Sequence, residues 1–246
     1  MLHKIFTYIS LVLTLLLHYA CKKSDSTLPN TPTGNVTVII NHKVDGATLQ
    51  FDTMMYNNQA SNTYSVTRLN YYLSNFVLYQ NGVQVYVSNQ IKYIDARQQP
   101  ISIQLENLPI GTYNQVSFLI GIDAKNNQHG TLPNTDENIG MIWPEAMGGG
   151  YHFLKIEGQF LTPANDRKGY AIHTGLNSSL VQHQPINLNL QISEGATSTL
   201  HLTMNLNEWY KNPYTYNIYS DGNYTMGDST TMRLITNNGK DVFYAE

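Results

Sequence analysis

Strict two-residue alternation is the feature that most limits what this chain can fold into. In Ile186-Asn-Leu188-Asn-Leu190-Gln-Ile192 every second residue is aliphatic, and Leu200, Leu202, Met204 and Leu206 repeat the pattern with His201, Thr203 and Asn205 between them. Val36, Val38 and Ile40 alternate in the same way, as do Ile101, Ile103 and Leu105. A side-chain period of two sends alternate residues to opposite faces of a strand, so each segment is a strand with at least one apolar face. Further strands are expected at 70–79, 83–88, 90–95, 113–120, 152–161 and 169–174. Asn81-Gly82, Pro109-Ile-Gly111-Thr112, Glu194-Gly195 and Asp221-Gly222 supply turns between segments. Asn81-Gly82 is the strongest hairpin signal, because both residues tolerate positive φ. No segment carries a long amphipathic helical period, and only short helices are expected, at 135–140, 143–147, 207–211 and 228–236. Strands at this spacing, without crossover helices, predict an all-β fold: an antiparallel two-sheet β-sandwich formed by one domain from 35 to 246.

Charge and cysteine content narrow the function. Only 13% of the 246 residues are charged and the formal net charge is −3, against about 25% charged in an ordinary domain. With no basic excess to neutralise phosphates, nucleic acid is excluded as a partner class. The single cysteine rules out an internal disulfide framework and any cysteine-based zinc cluster. Its position accounts for it. Lys4 precedes a mostly apolar run over 5–17, shorter than the roughly 20 residues a membrane-spanning helix needs and suited to a secretory signal. Ala20-Cys21 follows and resembles a bacterial lipobox, with His18 and Tyr19 departing from the usual aliphatic and small residues. Residues 1–20 are therefore expected to be a lipoprotein signal peptide. Cys21 is the expected lipidation site and 21–34 a Ser/Thr/Pro-rich tether. The domain would then sit in the cell envelope, anchored to the outer membrane and facing the periplasm or the surface.

Two stretches break the strand pattern, 121–151 and 207–246. The first is long for a loop in a compact domain, yet it carries Met141, Trp143 and Met147. It is expected to pack over one end of the sandwich. Three histidines stand at strand ends. Alternation puts His42 on the side of Val36, Val38 and Ile40, and His152 in register with Leu154 and Ile156; His173 closes the 169–174 strand. They are either hydrogen-bonded rim histidines or imidazole ligands converging on one metal, and no HxH or HxxxH spacing decides between the two. His129, His183 and His201 read as surface residues. Met54, Met55, Met141 and Met147 read as core filling before soft copper ligands. No GxSxG, P-loop or HExxH is present, so no enzymatic activity is expected. Tyr214, Tyr216, Tyr219 and Tyr224 suggest an alternative, a metal-free surface module binding a glycan or a protein partner.

Ordered motifs over nearly the whole mature chain resemble the MbnP-like copper-binding proteins, a family of secreted or lipid-anchored β-proteins. They include Asn41-His42, Leu69-Asn-Tyr71-Tyr72-Leu73-Ser74-Asn75, Tyr93-Ile-Asp95 and Gly121-Ile-Asp123. The most specific is Met141-Ile-Trp143-Pro with Gly148-Gly-Gly150-Tyr151-His152 and Glu157-Gly158, followed by Ile172-His173-Thr174-Gly175. Asn207-Glu-Trp209 and Asn238-Gly-Lys-Asp-Val-Phe243 complete the set. The resemblance implies copper binding, with His173 as the first carried-over ligand and His42 and His152 next. It implies that Trp143 lies beside copper or is oxidised to kynurenine by a partner di-haem peroxidase-like oxidase. Glu145 stands where better-known relatives have a second tryptophan. Tyr151, Glu157 and Asp45 are the expected groups orienting the imidazoles.

Overall fold

Alternation becomes sheet structure nearly strand for strand. The structure, a computed structural model, describes residues 31–246; the expected signal peptide, Cys21 and the start of the tether lie outside them. The strands in chain order are β1 (Thr33–Val44), β2 (Ala47–Thr48), β3 (Tyr56–Asn57), β4 (Thr63–Tyr64), β5 (Arg68–Gln80), β6 (Val83–Asp95) and β7 (Ile101–Pro109). There follow β8 (Gly111–Ile120), β9 (His152–Leu161), β10 (Arg167–Gly175), β11 (Val181–Gln182), β12 (Ile186–Ile192), β13 (Thr197–Asn205) and β14 (Phe243–Ala245). The helices are α1 (Asp136–Gly140) and α2 (Ser229–Asn238), with 3₁₀ turns at Glu145–Met147 and Leu206–Tyr210 among others. Asn81 and Gly82 take φ of 50° and 78°, both positive as a tight hairpin turn requires, and Gln80 pairs with Val83 across it. Thr135 and Asp228 cap the two helices through their side-chain oxygens.

One sheet is ordered β14-β13-β1-β2, with β7 also on β1. The other is built on β5. β6 follows one edge of β5, while β9 and β8 share the other edge in succession. β10 lies beyond β9, and β11 and β12 lie beyond β8. One ladder departs from the antiparallel expectation: β1 and β13 run parallel, with Val38 opposite Leu200 and His42 opposite Met204. The direction of β13 is set by its turn from β12, which belongs to the other sheet, and not by a hairpin to β1.

β1 alternates without a break between buried and half-buried positions. Its inner row packs with Leu69, Tyr71, Leu73, Phe118, Leu154, Ile156, Leu200 and Leu202 between the sheets. A second apolar cluster joins Tyr72, Ile122, Met141, Tyr151 and Phe153. Tyr71 and Tyr72 point to opposite faces of β5, so this second cluster lies on the outer face of the β5 sheet. The 121–151 insertion thus covers an outer sheet face, where the sequence had suggested one end of the sandwich. That cover positions the candidate site.

Candidate metal centre

The site starts with a slip in the β9–β10 ladder. Thr174 faces Leu154 but Gly175 faces His152, so Phe153 is an extra residue on β9. Such a bulge re-aims side chains. Plain alternation would send His152 inward with Leu154. Its ring instead meets the ring of His173, with centroids 4.9 Å apart and planes at 82°. His173 alternates with buried Ile172 and Thr174 and so belongs to the outer face. Trp143 closes the group from the insertion, its indole 4.7 Å from the His152 ring. Its Nε1 donates to the Met147 carbonyl at 3.0 Å. The indole lies flat on Gly175, where a Cβ would come within 2.4 Å of it. Glycine in the Ile-His-Thr-Gly motif is therefore the seat for the tryptophan.

The two imidazoles differ in their surroundings. His152 is buried, its Nδ1 has no hydrogen-bond partner, and no hydrogen bond among the described residues engages its ring. Burial first, then the charges of Lys155 and His173, lower its pKa to about 2, so it is neutral at any ordinary pH. The Nε2 of His173 lies 2.9 Å from Glu157 Oε1, and Glu157 also accepts from Arg68 at 2.9 Å. The His173 hydrogen bond is the largest of the effects that hold the Glu157 carboxyl below its usual range. A carboxylate on Nε2 fixes the proton there and leaves Nδ1 as the free lone pair, the arrangement that orients metal-ligating histidines. Lys155 donates its Nζ to the Gly140 carbonyl at 2.6 Å and so ties β9 to the insertion.

His42 does not join the pair. It stands on β1 inside the sandwich, with Nε2 2.8 Å from the Tyr71 hydroxyl. The β5 sheet separates that inner face from the outer face holding His152 and His173. The expected three-histidine convergence is corrected to a pair, because the bulge turns His152 out while unbroken alternation keeps His42 in. Among the described residues no group of three or more His, Cys, Asp or Glu side chains is arranged to hold a metal ion. Of the expected orienting groups, only Glu157 touches the pair. Tyr151 accepts from the Leu132 amide at 3.1 Å and packs on Tyr72. Asp45 sits in the β1–β2 turn and accepts from Asn207 Nδ2 at 2.6 Å.

The remaining candidates resolve as follows. His129 and His201 are exposed. His183 is the opposite of a surface residue. It is buried, stacked on Phe118, and its Nε2 accepts from the Phe243 amide at 2.9 Å. The polar Gln-His-Gln sequence hid this, because the covering strand β14 comes from 60 residues further along the chain. Met141 is buried core and Met55 exposed. Of the tail tyrosines, Tyr214, Tyr219 and Tyr224 are exposed, but Tyr216 is buried and donates to the Gly222 carbonyl.

Fold and site together define the class: a two-sheet β-sandwich with a paired-imidazole centre under a buried indole. The MbnP family model matches residues 33–227, and the chain belongs to the MbnP family. Among solved structures it is similar to MbnP from Methylosinus trichosporium at 14% identity, with 75% of this chain and 80% of that chain covered and a TM-score of 0.46. That likeness is too slight to transfer a residue's role. Against curated proteins the chain finds no match.

Proposed function

We propose that this chain is a non-enzymatic copper-binding protein of the cell envelope. It is lipid-anchored at Cys21 to the outer membrane and holds copper, for storage, delivery or sequestration, at His152 and His173 beside Trp143. The observation that carries the reading is the contact of two imidazoles, one with a buried nitrogen that no protein group satisfies. A buried polar atom without a partner costs about 1–3 kcal/mol, and imidazole nitrogen is a natural copper donor. Because burial keeps His152 neutral, no proton competes for its lone pair. Glu157 holds His173 in the tautomer that leaves Nδ1 free. Two imidazoles are fewer than the three or four protein ligands zinc takes, whereas copper(I) accepts two. Membership of the MbnP family supports the same metal, since the resemblance implies copper handling. Trp143 is the proposed target of a partner di-haem oxidase, and the intact mass of natively expressed protein tests that part.

Metal-stripped protein titrated with copper(I) against a competing chelator is expected to bind one equivalent. His152→Ala and His173→Ala each weaken binding and together abolish it. His42→Ala leaves binding in place while destabilising the fold, since it strands the Tyr71 hydroxyl in the core. Unchanged affinity in the His152/His173 double variant refutes the site.

A further inference from the structure

We propose that Thr225 is a positioning residue of the paired-imidazole centre, acting through the backbone of His173. The inference rests on the reading of that centre as the metal site and adds the part that holds it in shape. Among the strands, β10 is hydrogen-bonded to β9 alone. Its outer edge would therefore leave backbone groups of Ala171 and His173 unpaired.

A segment from beyond β13 lies along that edge. Ala171 donates its N–H to the Asn223 carbonyl at 2.7 Å, and Thr225 donates its N–H to the Ala171 carbonyl at 3.3 Å. Ala171 and Tyr224 form a parallel bridge, and Asn223 Nδ2 donates to the Gly169 carbonyl at 2.8 Å. Beyond Thr225 the segment turns away, with the Asp228 amide donating to the Thr225 carbonyl at 2.9 Å. At His173 a single side chain continues what the backbone no longer can. The Thr225 hydroxyl accepts the His173 N–H at 2.7 Å and donates to the His173 carbonyl. A hydroxyl can do both at once, whereas valine, of nearly the same shape, can do neither. Thr225 is fully buried, so water does not substitute for it.

The same segment reaches the other wall of the centre. A Cβ on Gly227 would lie 3.2 Å from the Met147 methyl, and the Met147 carbonyl is the acceptor for the Trp143 indole. One strap thus holds the His173 backbone and passes beside the Met147 side chain, in the loop carrying Trp143. The ring of His173 leaves the backbone at the residue Thr225 clamps, two residues before Gly175, which faces His152 across the β9 bulge. Freeing that backbone loosens the imidazole that must meet its partner.

The test begins with the metal-free wild-type protein, where the His173 amide is expected to exchange with solvent as slowly as amides inside the sheet. Thr225→Val is expected to speed that exchange roughly tenfold or more and to weaken copper(I) binding about 10–100-fold, the usual effect of losing a group that orients a ligand. Thr225→Ser is expected to retain both properties. A His173 amide that exchanges as fast as an exposed edge amide in the wild type overturns the proposal, and that measurement needs no variant to fold. Equal losses in the serine and valine variants also overturn it. If the wild type binds no copper, the metal reading fails instead, and the exchange data still decide whether Thr225 clamps His173.

Discussion

Acid should unfold this protein from a pH where its carboxylates are still ionised, and two buried histidines outside the paired-imidazole centre carry the calculation. His42 is buried against Tyr71, and burial lowers its pKa from 6.5 to about 3. His183 is buried on Phe118, and burial lowers its pKa to about 4. As the pH falls through 6.5 the unfolded chain takes up a proton on each, while the folded chain refuses both. Stability is therefore full above 6.5 and is lost as the pH falls toward the folded values near 4 and 3. Each excluded proton makes the loss about 1.4 kcal/mol per pH unit, so two give about 2.7. At pH 4.5 the loss reaches about 5 kcal/mol, against a total of roughly 5–15 for a typical domain. Unfolded Asp and Glu take up protons at about 3.9 and 4.3, so the interval from 6.5 to 4.5 reports mainly on histidine. His152, also held neutral by burial, adds to the slope in metal-free protein, so these figures are lower bounds. Urea midpoints of metal-free protein at pH 7.5, 6, 5 and 4.5 measure it. His42→Gln should reduce the slope by about 1.4 kcal/mol per unit, whatever it does to absolute stability. A slope below about 1.4 between pH 6.5 and 4.5 would show that fewer than one histidine is held neutral, and the burial argument would fail.

Gly175→Ala puts a methyl within 2.4 Å of the Trp143 ring. It should destabilise the fold by about 1–3 kcal/mol and red-shift tryptophan emission, and an unaltered spectrum counts against the seat. Glu157→Gln removes the charge that fixes the His173 tautomer and should weaken copper(I) about 10-fold or more while thermal stability changes little. Equal copper affinity in the two proteins would mean that Glu157 serves only Arg68.

The fold was legible because alternation is a local property. A residue's face on β1 or β12 follows from its neighbours, and so does the turn at Asn81-Gly82 with its two positive φ values. The same logic found His42 correctly on the inner row. It misjudged His152, because a bulge is invisible until the partner strand is in register and Phe153 proves to be extra. It misjudged His183, because its cover arrives from β14. Thr225 carried no signal at all. A threonine in a tail loop becomes a clamp only when the edge of β10 lies beside it.

By itself, then, the sequence determined the strands, the turns, the family and the residues worth testing: Trp143, His152, His173 and Glu157. The tertiary structure decided which of them meet. A strand's alternation says which side a residue faces, but not which strand lies there or whether the ladder slips by one. Those depend on contacts between residues far apart in the chain, and they reduced three candidate histidines to a pair with a carboxylate behind one and an indole over the other.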